Sequence, residues 1–311
     1  MKKGISTGYF GPLSPEEAVW KMKEHGYTAA ELSFEHGKEL LARAGGCGMK
    51  SAFVFDENTP ASLNGNTPRS VGLEFREFLK KTGFSIPQAH LYFSLDMSDP
   101  RAADVHLRWV ELYLAIGVKN IVIHAVAPKE IPARQCYLGI VENFKKIIAR
   151  FEGTDAFLCI ENNSSRFTYT VDQLLHIIRD AGNSPHFGIC CDTGHLNMHQ
   201  VKGLTPQTHG EFIRKAGSRL HALHIANNDG SSDMHCMPFA LKRSTGKTVD
   251  WQEVMVALRE VGSNDLFNFE IPGESKAPLP IRELKIDYIA RLADYMLDPS
   301  HDLSFDYDKK K

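Results

Sequence analysis

The chain repeats one arrangement, in which a short apolar run ends in a side chain that can bind a metal and a helical stretch follows. From the third predicted strand onward these terminal residues are His90, His124, Glu161, Asp192, His224 and Glu270. The intervals between them are 34, 37, 31, 32 and 46 residues, and the longest contains an extended loop. A βαβ unit takes about 30 residues or more. The spacing therefore predicts one strand and one helix per interval.

The same alternation extends to both ends of the chain and predicts eight strands. They cover residues 5–9, 29–34, 86–90, 120–124, 157–161, 186–192, 220–225 and 266–271. Strict alternation of strands and helices predicts a parallel sheet of the α/β class. A closed (β/α)₈ TIM barrel needs about 250 residues plus insertions, which suits a chain of 311 residues. We predict a single-domain barrel over residues 1–297 and a polar C-terminal tail over residues 298–311.

Two segments depart from the repeating unit. Residues 45–68 are rich in glycine, asparagine and proline, and we interpret them as a surface insertion that is either a lid or a disordered loop. The second segment, residues 226–249, follows the seventh barrel strand. It carries Lys242, Arg243 and Lys247, which either bind a phosphate or carboxylate or form a solvated surface. Because loops after the strands build the substrate pocket of a barrel, we expect specificity to reside in these two segments.

The two-residue period of a strand separates inward from outward side chains. The predicted inward residues are Val122, His124, Cys159, Glu161, Gly188, Cys190, Asp192, Ala222, His224, Asn268 and Glu270. The ionisable members of this set then converge at the C-terminal mouth of the barrel, where barrel enzymes keep their chemistry. Burying several carboxylates together is costly unless a cation neutralises them. The pattern therefore predicts a divalent metal, with Mn²⁺ the first choice and Mg²⁺, Co²⁺ or Zn²⁺ the alternatives.

Charge and hydropathy limit the partners of the chain. Lysine and arginine total 36 against 38 for aspartate and glutamate, which gives a formal net charge of −2. Nucleic-acid binding draws on an excess of cations, so we expect no nucleic-acid partner. The N-terminal residues lead into a polar helix start without an apolar signal core, and no later run is long and uncharged enough to span a bilayer. We expect a cytoplasmic protein with reduced cysteines.

Several short motifs carry a resemblance that covers nearly the whole chain. They are Gln88-Ala-His90, Val122-Ile-His124, Ile160-Glu161-Asn162, Cys191-Asp192-Thr-Gly-His195, the stretch from His224 to His235, and Phe269-Glu270. Together they resemble the xylose isomerase-like TIM-barrel superfamily, in particular its sugar phosphate isomerase/epimerase branch. The resemblance implies that Glu161, Asp192, His224 and Glu270 hold the catalytic metal. It further implies that Glu161 and Glu270 act as acid and base.

The same superfamily contains apurinic-site endonucleases that use three zinc ions, and their ligand pattern is similar to a larger set of residues in this chain. The set comprises His90, His124, Glu161, Asp192, His195, His224, Asp233, His235 and Glu270. Each of these positions carries a residue that can bind zinc, whereas the net charge of −2 disfavours binding to DNA. The isomerase branch usually follows Asp-x-His with a Pro-Gly-x-Gly turn, and here an insertion stands between His235 and Asp250 instead.

From these residues we predict a metal-dependent sugar, sugar-phosphate or keto-sugar isomerase or epimerase. Its glutamate pair, Glu161 and Glu270, would transfer a proton at the carbon next to a carbonyl. His90, His124, His195 and His235 are the predicted substrate-binding residues, although a role as partners of the metal ligands stays open for His195 and His235. The alternatives are a lyase or dehydratase that uses the same proton abstraction and a zinc phosphodiesterase. Whether the chain forms a homo-oligomer is left open.

Overall fold

The computed structural model describes residues 1–241, 248–272 and 274–304. Eight of its strands run parallel and form the barrel, and two form a small antiparallel hairpin. The barrel strands are β1 (Lys2–Ile5), β2 (Ala29–Leu32), β5 (Ser85–His90), β6 (Asn120–Ile123), β7 (Phe157–Glu161), β8 (Phe187–Asp192), β9 (Leu220–His224) and β10 (Leu266–Phe269). The hairpin strands are β3 (Met49–Ser51) and β4 (Val54–Phe55).

The barrel consists of a six-stranded parallel sheet and a two-stranded parallel sheet that close on each other. The larger sheet has the order β2-β5-β6-β7-β8-β9, and the smaller one pairs β1 with β10. Isolated bridges join the two sheets, from Ser6 to Glu31 on one side and from Ile225 to Phe269 on the other. The predicted TIM-barrel fold is therefore confirmed.

Helices surround this barrel, and most of them lie where the sequence predicts. They are α1 (Pro15–Glu24), α2 (Phe34–Ala42), α3 (Pro68–Thr82), α4 (Ala102–Ile116), α5 (Ala133–Ile148), α6 (Val171–Asp180), α7 (Thr193–Val201), α8 (His209–Ala216), α9 (Trp251–Glu260) and α10 (Leu279–Leu297). Helix α1 begins with a capping box between Ser14 and Glu17, and α3 ends at Gly83, whose φ of 67° favours glycine. Among the helices described, none has the length and apolar character needed to cross a membrane.

The predicted strand phase is confirmed by the two separate apolar clusters of the barrel. Val122, Cys159, Cys190 and Ala222 contact one another inside the barrel and are fully buried. Their chain neighbours on the other face belong to the larger core between the strands and the helices; these are Ile121, Ile123, Leu158, Ile160, Ile189, Cys191 and Leu223. The inward-facing residues are mostly small because eight strands leave little room at the barrel axis. The next inward position along each strand then reaches the mouth.

Three local predictions were wrong. Residues 5–9 are not a strand, because β1 ends at Ile5 and a 3₁₀ turn follows over Thr7–Phe10. Residues 45–68 are not a disordered loop, because they contain the hairpin of β3 and β4, and Phe53 N donates a hydrogen bond to Ser94 O (3.0 Å), whereas their role as a lid stays a prediction. Helix α7 is additional to the one helix per interval that the sequence predicts, because α8 also lies between β8 and β9. Its first seven residues are all buried, so it lacks the polar face that makes a helix visible in a sequence.

Candidate active site

A cavity lies at the C-terminal mouth of the barrel, with a volume of about 330 Å³. Most of the predicted site residues line it, namely His90, His124, Glu161, His195, His235 and Glu270, together with Asp233. The two remaining predicted ligands, Asp192 and His224, are fully buried beside it. The structure therefore brings together every predicted catalytic, substrate-binding and metal-binding residue that belongs to the described part of the chain.

Glu161, the last residue of β7, lies at the centre of four imidazoles. Its Oε2 is 2.9 Å from His124 Nε2, 3.4 Å from His90 Nε2 and 3.3 Å from His224 Nδ1. Its Oε1 is 3.0 Å from His195 Nδ1, without the geometry of a hydrogen bond. The residue is only 1% exposed, so the imidazoles take the place of water around the carboxylate.

Four residues can hold a divalent cation at this point. Ligand atoms from Glu161, Asp192, His224 and Glu270 lie within 4.8 Å of one another. Glu161 Oε1, Asp192 Oδ2 and His224 Nδ1 are buried without a hydrogen-bond partner. Buried polar atoms are rarely left unpaired, and a cation would satisfy all three together. Two glutamates, one aspartate and one neutral histidine are a donor set that fits such an ion.

Asp192 has two roles because its two carboxylate oxygens face different partners. Oδ1 accepts a hydrogen bond from His195 N (2.6 Å) and so caps α7 at its N-terminus. The Asp192 amide donates to Asn162 Oδ1 (2.8 Å), which fixes the backbone at the end of β8. Oδ2 is then the free oxygen that points toward the cation position. Because β8 runs directly into α7, the helix cap fixes the orientation of Asp192 as a metal-binding residue.

Glu31 on β2 is a site residue that the sequence prediction missed. His224 Nε2 lies 2.7 Å from Glu31 Oε2, and Gln88 Nε2 donates to the same oxygen (2.5 Å). Since a carboxylate accepts, His224 carries its proton on Nε2 and leaves the Nδ1 lone pair for a metal. The one available signal was an acidic residue in the otherwise apolar strand Ala29–Leu32. Glu31 is 1% exposed, and a buried acid needs such a partner.

A second group of metal-capable residues borders the same cavity. Asp233 Oδ2 is 3.1 Å from His195 Nε2 and 2.9 Å from His235 Nε2. His235 Nδ1 donates to the backbone oxygen of Glu270 (3.0 Å), which orients the ring. The ligand atoms of His195, Asp233 and His235 lie within 4.8 Å of one another. His195 therefore connects this group to Glu161.

The two glutamates have opposite electrostatic surroundings. Burial raises the pKa of Glu161, but the facing imidazoles of His124 and His224 outweigh it and hold that pKa well below its ordinary value. Burial raises the pKa of Glu270 to about 7 against the lowering effect of His224 and His235, and the Glu161 carboxylate adds to the rise. The pair therefore consists of one carboxylate kept ionised and one that takes up a proton more easily.

Part of the cavity wall is apolar. Phe34 and Phe93 pack edge to face with ring centroids 4.6 Å apart, and both line the cavity together with Ile271 and Pro272. Residues 45–68 contribute nothing to this lining, and the prediction that this insertion shapes specificity stays a prediction. The loop after β9 contributes Asp233 and His235, as predicted. Lys242, Arg243 and Lys247 lie outside the described residues.

Several solved structures with the same architecture are sugar epimerases. The chain aligns with D-psicose 3-epimerase crystallised in the presence of D-fructose at a TM-score of 0.70 and 16% identity, with 96% of this chain and 99% of that chain covered. D-psicose 3-epimerase from Clostridium cellulolyticum H10, with D-tagatose, aligns at a TM-score of 0.71 and 16% identity, with 96% and 100% covered. A 3-keto-D-glucoside 4-epimerase from E. coli aligns at 0.66 and 16%, with 94% and 99% covered. At these identities the likeness concerns the fold.

Sequence comparison also finds a curated relative, the uncharacterized protein y4fM of Sinorhizobium fredii. It is 26% identical over 175 residues, which are 52% of this chain and 50% of that protein. This match therefore spans about half the length of the relative. A family model described as xylose isomerase-like TIM barrel matches residues 19–292. Since that match extends from α1 into α10 and the barrel carries its polar residues at the mouth, the chain belongs to the xylose isomerase-like TIM-barrel family.

Proposed function

We propose that the chain is a divalent-metal-dependent sugar epimerase or isomerase that transfers a proton at the carbon next to a carbonyl. The observation that carries this proposal is the glutamate pair around His224. The Nδ1 atom of His224 lies 3.3 Å from Glu161 Oε2 and 3.2 Å from Glu270 Oε2. Two carboxylates with different proton affinities thus face one small volume at the floor of the cavity. The sugar epimerases among the structural neighbours support the same reaction class.

The residues that would hold the cation are Glu161, Asp192, His224 and Glu270. A divalent cation bound there would supply Lewis acidity toward a carbonyl oxygen and would offset two of the three carboxylate charges. Glu31 holds the His224 ring so that its Nδ1 faces the ligand group. Outer partners of this kind fix the orientation and basicity of a ligating imidazole.

The positions of the glutamates favour epimerisation over isomerisation. Glu161 ends β7, whereas Glu270 follows β10, and two barrel strands separate them. A sugar between the two would meet them from different sides. Glu161, which the surrounding imidazoles keep ionised, would remove the proton, and Glu270 would return one to the opposite face of the same carbon. This arrangement would invert the configuration at one carbon of the sugar.

The histidines above the floor can orient the sugar. His195 and His235 both face Asp233, and a carboxylate partner keeps a donor proton on each ring. His90 and His124 contact Glu161 and line the cavity beside Phe93. These rings would contact the hydroxyl groups of the sugar, while Phe34 and Phe93 would contact its apolar face.

Solvent exchange tests the proposal without knowledge of the natural substrate. The full-length protein, supplied with Mn²⁺, would be incubated in D₂O with free ketohexoses and with keto-derivatives of glucosides. We expect deuterium at the carbon next to the carbonyl, accompanied by the epimer. The matched control is Glu152→Gln, because Glu152 is exposed and precedes β7 at the other end of the barrel. The proposal would be contradicted if Glu161→Gln and Glu270→Gln both incorporated as much deuterium as the wild type. A product that has lost a substituent would instead indicate a lyase.

A second candidate is a phosphodiesterase with several metal ions, and one observation favours it. The metal-capable side chains form three groups that adjoin one another, the two described above and a third made of His90, Glu161 and His224. Elemental analysis of the purified protein separates the candidates, since about one Mn²⁺-type ion per chain fits the epimerase and about three zinc ions fit the phosphodiesterase. We expect no incision of DNA that contains abasic sites, because the net charge of −2 offers no cationic excess.

A further inference from the structure

A side cavity of about 300 Å³ adjoins the candidate active site. It shares His124, His195 and Asp233 with the main cavity, so a ligand that occupies one can extend into the other. Its remaining walls come from the loops that follow β6 and β7, and they include Lys129 and Arg166. These loops lie outside both segments from which the sequence predicted specificity.

One donor beside this side cavity, the side-chain amide of Asn163, is fixed in place and lacks an acceptor. Asn163 is 3% exposed, and its Oδ1 accepts hydrogen bonds from Ser165 N (3.0 Å) and Thr168 Oγ1 (2.7 Å). These two donors fix the orientation of the amide, because only the oxygen can accept them. Asn163 Nδ2 is buried and has no hydrogen-bond partner. Asn163 lines the side cavity, and a buried amide nitrogen without an acceptor beside a cavity indicates a ligand that supplies one.

Arg166 adds a positive charge that is held rigidly. Its Nη2 donates to the backbone oxygens of Pro128 (3.1 Å) and Ile131 (2.8 Å), so the guanidinium is anchored by neutral groups. Its Nε is buried and has no partner. Lys129, on the same loop as these two carbonyls, is exposed. Neither cation forms an ion pair with any residue in the described ranges, so their charges are available to a ligand.

The main cavity offers no comparable feature. The described residues that line it include no lysine and no arginine. Its charged walls are carboxylates and imidazoles, and its other walls are apolar. Within the described part of the chain, an anionic group of the substrate would therefore find its counter-charges in the side cavity.

We propose that the side cavity binds an oxyanion, either a carboxylate or a phosphate, that belongs to the substrate. Asn163 Nδ2, Arg166 Nε and the Lys129 ammonium group are the donors, and charge-assisted hydrogen bonds of this kind are strong. The inference rests on the proposed function for the identity of the substrate, which becomes an acidic or phosphorylated sugar rather than a neutral one. The anion would lie beside His124 and His195, with the reacting carbon over the glutamate pair.

Anion titration tests this subsite directly. Inorganic phosphate and acetate would be titrated separately into the full-length metal-loaded protein, and their dissociation constants would be measured by calorimetry. The first variant, Lys129→Ala, removes an exposed side chain and leaves the fold intact. The second, Asn163→Asp, retains an oxygen for Ser165 and Thr168 and replaces the unpartnered amide with a negative charge. The matched control is Lys146→Ala, an exposed lysine in the last turn of α5, at the opposite end of the barrel.

We expect one of the two anions to bind, and the one that binds identifies the substituent as phosphate or carboxylate. Lys129→Ala should weaken binding about 2–5-fold, because an exposed charge pair contributes modestly, and Asn163→Asp should weaken it more than about tenfold through like-charge repulsion. Lys146→Ala should bind as the wild type does. The proposal is overturned if the wild type binds neither anion, or if Lys129→Ala and Asn163→Asp bind as tightly as the wild type, which would place the anion at the metal.

The anion-binding result and the D₂O-exchange result can be interpreted separately. If D₂O exchange shows no proton transfer but the two variants weaken anion binding, the subsite stands and the reaction class is wrong. If exchange occurs and the variants bind anions normally, the epimerase proposal stands and the subsite is wrong. A melting temperature for each variant excludes unfolding as the cause. Should Asn163→Asp fail to fold, the affinity of Lys129→Ala relative to Lys146→Ala still decides between binding in the side cavity and binding at the metal.

Discussion

The interior of the barrel has two layers that differ in chemistry although the same strands supply both. The deeper layer is apolar and consists of Val122, Cys159, Cys190 and Ala222. Two residues further along each strand or its following loop lie His124, Glu161, Asp192 and His224, which face the mouth. Strand geometry places both layers on the inner face of the barrel. The layers therefore differ in chemistry only because their side chains differ.

The difference between the layers separates stability from chemistry. The deeper layer is fully buried, and so it closes the floor beneath the upper layer. Above that floor, the carboxylates and imidazoles interact in a medium of low dielectric, where charge interactions are stronger than in water. Substitutions in the upper layer should therefore affect activity and metal binding, and substitutions in the deeper layer should affect folding.

The largest effect is expected for the glutamates of the upper layer. Glu161→Gln and Glu270→Gln should each lower turnover by about 10²–10⁴-fold, because each removes an essential acid or base. Steady-state kinetics on a substrate found by D₂O exchange measures this loss. A melting temperature close to that of the wild type should accompany it. Turnover near the wild-type rate in either variant would remove that glutamate from the mechanism.

The next effect concerns Glu31, which supports the upper layer from β2. Glu31→Ala should weaken Mn²⁺ affinity about 10–100-fold, the usual effect of losing the partner of a ligating histidine. Glu31→Gln should restore part of this affinity, since its side-chain oxygen can still accept from His224 Nε2. Calorimetric titration of the metal-free protein with Mn²⁺ measures both. Equal affinities in all three proteins would show that the contact with Glu31 does not position His224.

A smaller effect is expected in the deeper layer, where Val122→Thr replaces one methyl group with a hydroxyl group. Burial of an unpaired hydroxyl costs about 1–3 kcal/mol, so the free energy of unfolding should fall by that amount while Mn²⁺ affinity stays unchanged. Urea denaturation and metal titration test the two halves of this prediction. A variant that folds normally but loses its metal would mean that the two layers are coupled.

The smallest effect involves a histidine outside both layers. His106 in α4 is buried with no hydrogen-bond partner on either ring nitrogen, and burial lowers its pKa to about 3, with a further lowering from His124 and His90. Because this folded-state pKa is depressed, the unfolded chain takes up the proton first, and stability falls as the pH drops below about 6.5.

Between pH 8 and pH 5.5 this histidine should cost about 1.4 kcal/mol of stability. Urea denaturation of the wild type and of His106→Leu at the two pH values isolates the contribution, because the variant lacks the titrating group. A pH dependence that is identical in both proteins would indicate that the His106 ring has a partner or access to water.

The sequence was sufficient for the barrel and for most of the site because both depend on local periodicity. The two-residue period places Glu161 and Asp192 on the inner face, and the strand spacing brings them to one mouth. Glu31 escaped prediction because its contact with His224 joins positions 193 residues apart and its strand ends in a leucine. The unpartnered donors at Asn163 and Arg166 depend on loop geometry, which no period describes.

The cap that Asp192 places on α7 has a mechanical consequence. One carboxylate joins the end of a strand, the start of a helix and the cation position, and His195 follows within the first turn of that helix. A displacement of α7 therefore moves the Asp192 carboxylate and the His195 ring together, relative to the end of β8. A ligand that contacts His195 from the side cavity would therefore also act on Asp192. Binding in the side cavity and the geometry of the metal ligands are then coupled.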